Sequence, residues 1–337
     1  MRGLFAAVVV LGAFAGGAVP AAAQEVPAPQ PVCTNRDSRL SELSGLVSDG
    51  EHLYALNDGG TKTQVFVLGR DCKVQKVISA ATDPYDAEDL ARTADGTLWL
   101  SDTGDNRKQR DTVALISLTP QGKAAVHRLT YPDGQHDVEA LIMDRSGTPY
   151  LITKDVFGDA KVYRPTGPLA SPGPTPLESV GSLPFKETTT PGGPVGSIGS
   201  VTVTGAASMA DGSVVALRTY TDAYLYAVTD GDLAGALKRE PVRVPLPNEK
   251  QGEALAFDPD GTLLSGGEGV GEQIRAVKGA AGLAVAAAES EGGTPGGTSA
   301  AGGEGQGSGF PYVQVGIAAI VLIGGFLVVG RLRKRRA

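Results

Sequence analysis

A short hairpin unit recurs five times between residues 42 and 288, and it limits the chain to folds built from many similar antiparallel sheets. The unit is a polar residue, a small residue, an apolar residue, a turn, a second strand and a polar end. It reads Ser44-Gly45-Leu46, Glu88-Asp89-Leu90, Glu139-Ala140-Leu141, Thr204-Gly205-Ala206 and Glu253-Ala254-Leu255. Its turns are Asp49-Gly50, Asp95-Gly96, Ser146-Gly147, Asp211-Gly212 and Asp260-Gly261, dipeptides that favour tight hairpins. Successive units start 44, 51, 65 and 49 residues apart. That interval suits the four-stranded blades of a β-propeller. A β-sandwich also uses many short strands, but it does not demand a constant hairpin at this spacing. The 65-residue interval leaves room for an insertion, expected in the Pro/Gly-rich stretch 165–198. Third and fourth strands are expected at 64–68, 74–79, 113–117, 125–130, 225–228 and 242–244. The fold class is therefore all-β, a propeller of five blades. It becomes six if another hides in the insertion or is closed by the N-terminal segment.

Composition agrees. With 47 Gly and 22 Pro in 337 residues, the chain is too rich in helix breakers for a helical bundle. The overall charge of −7 hides an asymmetry. Residues 24–312 carry 24 basic against 37 acidic groups, a net charge of −13. Phosphate binding needs a basic surface, so nucleic acid is excluded as a partner, and cations or basic ligands fit better.

The ends predict an address. Residues 1–23 read as a signal peptide: Arg2, a short apolar run, and Ala21-Ala22-Ala23 for cleavage after Ala23. Residues 24–41 form a Pro-rich lead into the propeller of 42–288. Residues 289–310 are Gly, Ser, Thr, Glu and Pro, a composition that buries too little to fold and reads as a flexible linker. A transmembrane helix is expected in 311–330, where residues 313–330 carry no charge. The basic tail 331–337 then stays in the cytoplasm by the positive-inside rule, which puts the propeller outside on a single-pass anchor, as a monomer. Outside the cell two cysteines favour a bridge. Cys33 and Cys72 have no metal-site spacing, so a disulfide pinning the N-terminal segment to the first repeat is expected.

The repeat also selects a site. In a propeller the first strand of each blade starts on the face to which the second strand returns. The first residue of the unit and the residue twelve beyond its apolar position should meet at one mouth of the central channel. Those pairs are Ser44 and Asp58, Glu88 and Asp102, Glu139 and Thr153, Thr204 and Arg218, Glu253 and Gly267, with Glu268 next to the last. Crowded carboxylates repel and lose water, and a hard cation with oxygen ligands relieves both. A Ca²⁺ site of Glu88, Glu139, Glu253, Asp58 and Asp102 is one expectation. The other is that these carboxylates accept backbone hydrogen bonds and lock the ring, as Ser44 and Thr204 would, or that Arg218 neutralises part of it. Asp102-Thr103-Gly104-Asp105-Asn106 is the densest polar loop, and Asp105 and Asn106 are placed at the same mouth. Its spacing is not that of an EF-hand, and Asx residues also build turns unaided. Tyr85-Asp86 and His136-Asp137 fall on the same face. His136 is the one histidine near the mouth, a candidate general base beside Glu139. No Gly-x-Ser-x-Gly elbow, Rossmann or P-loop pattern appears. Residues 186–200 read as a mobile loop.

The blade-start Glu-(Ala/Asp)-Leu and the Asp-Gly-Thr-Leu that follows it at Asp95 and Asp260 resemble secreted bacterial propellers of the broad phytase-like, gluconolactonase-like and NHL/WD40-like group. The resemblance covers about residues 42–278. The Gly-His…Trp-Asp signature of true WD40 blades is missing. These motifs are architectural and specify no single activity. Two functions remain. One is a binding module at the cell surface, for a peptide, small molecule or cell-wall ligand. The other is a Ca²⁺-dependent phosphoester or lactone hydrolase at the channel mouth, with Glu139 or His136 as base.

Overall fold

The computed structural model describes residues 25–194 and 196–292. Strand β1 (Gln30–Thr34) comes first in the chain and is placed last in the fold. Four meanders of four strands follow, then a three-stranded one that β1 completes. The first is β2 (Leu43–Ser48), β3 (Leu53–Asn57), β4 (Thr63–Leu68) and β5 (Val74–Ala80). The second is β6 (Ala87–Arg92), β7 (Leu98–Asp102), β8 (Val113–Leu118) and β9 (Ala124–Thr130). The third is β10 (Val138–Met143), β11 (Pro149–Thr153), β12 (Asp159–Pro165) and β13 (Thr175–Pro184). The fourth is β14 (Val203–Ser208), β15 (Val214–Thr219), β16 (Asp222–Ala227) and β17 (Val242–Pro245). The last is β18 (Gly252–Phe257), β19 (Leu263–Gly267) and β20 (Gln273–Val277), to which β1 adds antiparallel. The second and third meanders join into one eight-stranded sheet through a short parallel pairing of β9 with β13.

The first strands β2, β6, β10, β14 and β18 pack each against the next, and β18 packs back on β2. This is the arrangement of a β-propeller. One apolar cluster fills each gap between neighbouring meanders. Ile142, Ile152 and Leu217 lie in one, Leu56, Leu90 and Ile116 in another. Inner strands β10 and β18 are buried along their whole length, which is why each reads as an apolar run broken by a single glutamate. Neighbouring inner strands approach so closely that a Cβ on Gly45 would come within 2.7 Å of Leu90, and one on Gly205 would collide with the Glu253 carbonyl. Glycine at these two positions of the unit is therefore a steric requirement of that close approach.

The hairpin turns are as the sequence predicts, with Gly96 and Gly147 at φ +87° and +83°, a conformation glycine adopts without strain. The disulfide is also as predicted. Cys33 of β1 is bridged to Cys72 in the β4–β5 turn, with Cα atoms 5.6 Å apart. It ties the strand that completes the last meander to the first one.

Three expectations change. The stretch 165–198 is not a single insertion, because β13 occupies its middle. The loop after β13, which includes helix α1 (Gly196–Gly199), is anchored rather than loose. Buried Asp222 accepts hydrogen bonds from Thr188 Oγ1 (2.7 Å) and Thr190 Oγ1 (2.8 Å) and an ion pair from Arg243 (2.6 Å). Beyond a short α2 (Leu233–Ala236), helix α3 (Ala280–Gly292) packs Ala280, Ala281 and Ala284 against the fourth and fifth meanders. It runs past residue 288 into the stretch expected as linker. No helix of the described residues is long and apolar enough to cross a membrane. The expected signal and the apolar run 313–330 lie outside the described residues.

Candidate functional site

Each inner strand carries a register shift at its start: between Leu43 and Gly45, Ala87 and Asp89, Val138 and Ala140, Val203 and Gly205, Gly252 and Ala254. The skipped residues are Ser44, Glu88, Glu139, Thr204 and Glu253, the five that open the sequence unit. A bulge leaves a residue out of the ladder and re-aims its side chain. Here it does so five times at one mouth of the ring.

The five then divide by chemistry. The short hydroxyls lock neighbouring meanders: Ser44 Oγ donates to the Glu88 carbonyl, and Thr204 Oγ1 donates to the Gly252 carbonyl at 2.8 Å. The three glutamates gather instead with other carboxylates. One oxygen each of Asp58, Asp86 and Glu88 lies within 4.8 Å of the other two. Burial, then the charges of Glu139, Asp58 and Asp86, push the Glu88 carboxyl well above its ordinary range. Burial also raises Glu139, to about 8, with Asp137 and Asp58 adding to the rise and Lys154 opposing it. Glu253 is raised by burial and by Glu268, and Glu268 by burial and by Asp58.

The cation in this group is Lys154, one residue beyond the Thr153 position. Its Nζ sits 2.9 Å from Glu139 Oε1 and 5.8 Å from the centroid of the Tyr220 ring. Burial opposes its charge, but Glu139, Tyr220, Glu253 and Asp137 outweigh burial and hold the ammonium well above its usual pKa. The sequence reading missed Lys154. The only available signal was a lone lysine at the end of a buried strand.

Arg218 does not enter the ring, contrary to one expectation. It is fully buried between the fourth and fifth meanders. It donates to the carbonyls of Thr219 (3.0 Å), Ala254 (3.0 Å), Gly266 (3.1 Å) and Tyr220 (3.3 Å) and pairs with Glu249 at 2.6 Å. Arg275 grips the other Glu249 oxygen, also at 2.6 Å. Asp102, expected among the cation ligands, has a backbone role: Oδ1 accepts from Tyr85 N (3.0 Å) and Asp86 N (2.8 Å) and pairs with Arg110 (3.2 Å). Asp105 caps its own loop by accepting from Gln109 N and Arg110 N, while Asn106 is exposed. His136 bonds Asp133 and the Tyr163 hydroxyl, both at 2.9 Å, and lies edge-on to Tyr131. Its partners are in that aromatic group rather than at Glu139, so the arrangement does not make it a base for the mouth.

Asp89 takes the small-residue position of its unit and fits because its neighbours there are Gly and Ala. Fully buried, it accepts from Leu90 N (2.7 Å), Leu141 N (2.8 Å) and Ala206 N (3.0 Å) and so bridges three meanders. The opposite end of the ring, at the hairpin turns, opens into a cavity of about 490 Å³.

No family model and no curated protein matches the chain. Solved structures with some likeness include a virginiamycin B lyase from Staphylococcus aureus, 11% identical over 70% of this chain and 66% of that one, with a TM-score of 0.34. A gluconolactonase from Xanthomonas campestris is 14% identical over 75% and 89%, at 0.38. A glucose dehydrogenase is 13% identical over 70% and 81%, at 0.39. The chain spans about two thirds of the lyase. At such distances these likenesses carry no argument about what this chain does.

Proposed function

We propose that this chain is an exported, membrane-tethered propeller of five blades, completed by β1, that binds a divalent cation at its acidic mouth and serves as a binding module at the cell surface. The export and tether rest on the sequence of the two ends. The cation rests on one observation, the convergence of Asp58, Asp86 and Glu88 oxygens within 4.8 Å beside Glu139, Glu253 and Glu268. The donor set is all carboxylate oxygen, which suits Ca²⁺ rather than thiophilic metals. Gly104 is part of the fit, since a Cβ there would collide with the Glu88 and Asp86 carboxylates. When bound, the ion would supply charge that Lys154 alone cannot. The test is thermal melting of the full chain with Ca²⁺ and then with a chelator. Binding to the native state alone raises the midpoint, with about 2.7 kcal/mol at a hundredfold excess over Kd. Glu88→Gln should abolish the rise. No rise at millimolar Ca²⁺ in the unaltered chain refutes the site.

A hydrolase is the second reading, favoured by one feature. Glu139 keeps its proton up to about pH 8 next to Lys154, as a general acid at a metal-assisted site would. Turnover of p-nitrophenyl phosphate or glucono-lactone that needs Ca²⁺, falls in Glu139→Gln and survives His136→Ala would establish it.

A further inference from the structure

The two faces of the ring differ in more than charge. The hairpin turns lie on one face. The loops leaving each second strand and entering each first strand lie on the acidic face. Among the described residues five large apolar side chains are exposed: Tyr85 (58%), Val156 (46%), Phe157 (89%), Val270 (54%) and, on helix α3, Val285 (36%). The first four are on acidic-face loops. Each of these four neighbours the cation site in sequence: Tyr85 precedes Asp86, Val156 and Phe157 follow Lys154 in the β11–β12 turn, and Val270 follows Glu268 in the β19–β20 turn.

The fold does not need them there. In the β11–β12 turn Asp155 Oδ1 accepts from Phe157 N at 2.8 Å, and Gly158 takes φ +81°. Backbone and Asx contacts hold that turn, and a serine at 157 would serve it as well. A rigid turn that presents a phenylalanine almost wholly to water has the character of a recognition anchor. Tyr85 is similar. Arg110 lies 4.6 Å from its ring centroid, on a guanidinium fixed by Gly104 O and Asp102, and the ring stays more than half exposed.

We infer that the acidic face is a docking surface for a polypeptide segment that presents a lysine or arginine between apolar residues. The cationic side chain enters the carboxylate mouth, and the apolar neighbours cover Phe157, Tyr85 and Val270. Charge complementarity selects this occupant. Residues 24–312 carry a net charge of −13, which repels nucleic acid and anionic bilayers and attracts a basic chain, and the converging oxygens of Asp58, Asp86 and Glu88 give its cationic group acceptors at the mouth. The inference rests on the mouth being a cation site, though not on the ion being calcium.

The probes are fluorescein-labelled peptides with a central Lys or Glu, flanked by Leu and Phe or by Ser and Gly, titrated with the full chain in chelator. The Lys peptide with Leu/Phe flanks should bind at least tenfold more tightly than any of the other three. Phe157→Ser with Val270→Ser should weaken it at least fivefold while leaving the melting midpoint and its calcium shift unchanged. Equal affinity for all four peptides overturns the inference, and so does unchanged affinity in the double variant. Tighter binding to zwitterionic vesicles than to any peptide, lost in that variant, would assign the apolar rim to a membrane instead. A missing calcium shift with the peptide preference intact defeats only the metal reading. An intact shift without the preference defeats only the docking surface.

Discussion

A carboxylate that leaves water must gain a cation, a donor or a proton, and the acidic residues of this ring show all three outcomes. Glu249 gains Arg218 and Arg275, and their charges outweigh burial and hold it below its ordinary 4.5. Asp89 gains three backbone N–H groups. Asp89→Asn would turn an amide nitrogen toward one or more of these donors and should cost about 1–3 kcal/mol in urea unfolding. Glu139 has Lys154 yet still retains a proton up to about pH 8. The folded state therefore holds more protons on Glu139 than the unfolded state between its ordinary 4.5 and about 8. Stability falls as pH rises through that window when more protons are bound folded than unfolded. Without divalent cations the melting midpoint should be lower at pH 8 than at pH 6, and Glu139→Gln should flatten that slope. Calcium should reverse it, and calorimetry in buffers of different ionisation enthalpy should show protons released on binding.

At the level of elements, the bulged start of each inner strand is the recurring device. Where it carries Ser or Thr it fastens one meander to the next, and where it carries Glu it feeds the mouth. Thr204→Val removes one bond and leaves the Gly252 carbonyl without that donor, an expected loss of about 1 kcal/mol that should leave any calcium shift intact. Arg218 makes the larger inter-meander contribution. Arg218→Met would strand Glu249 beside Arg275 alone and free four buried carbonyls, an expected loss of about 3–5 kcal/mol. Gly252 belongs to the same arrangement, since a Cβ there would collide with the Arg218 guanidinium.

For the whole molecule, closure depends on a strand from the other end of the described chain. β1 pairs with β20, and the Cys33–Cys72 bridge closes a 39-residue separation to the first meander. Chain-entropy arithmetic for a loop of that size gives about 4 kcal/mol. Cys33→Ser with Cys72→Ser should lower the unfolding free energy by up to that amount. Hydrogen exchange should show protection lost first in β1 and β20, since the seam is where the ring has no covalent continuity. Equal loss in all five meanders would mean that the ring opens elsewhere.

Much of this was legible from residue order alone. The hairpin interval predicts the meanders, because strand length and Asp-Gly turns are local properties. The unit-opening residues Ser44, Glu88, Glu139, Thr204 and Glu253 were legible because repetition in sequence becomes rotation about one axis in space. The bridge was legible because only two cysteines exist. The tertiary structure alone decided which polar side chains share a volume. Asp58 and Asp102 hold the same offset in their units, yet one joins the mouth and the other caps a loop. Lys154 lies one residue past the expected offset and is the cation of the site, whereas Arg218 lies on the offset and is buried elsewhere. Offset along a strand fixes the face a residue occupies. Which partner comes within 3 Å depends on how closely the inner strands approach, and only closing the ring sets that distance.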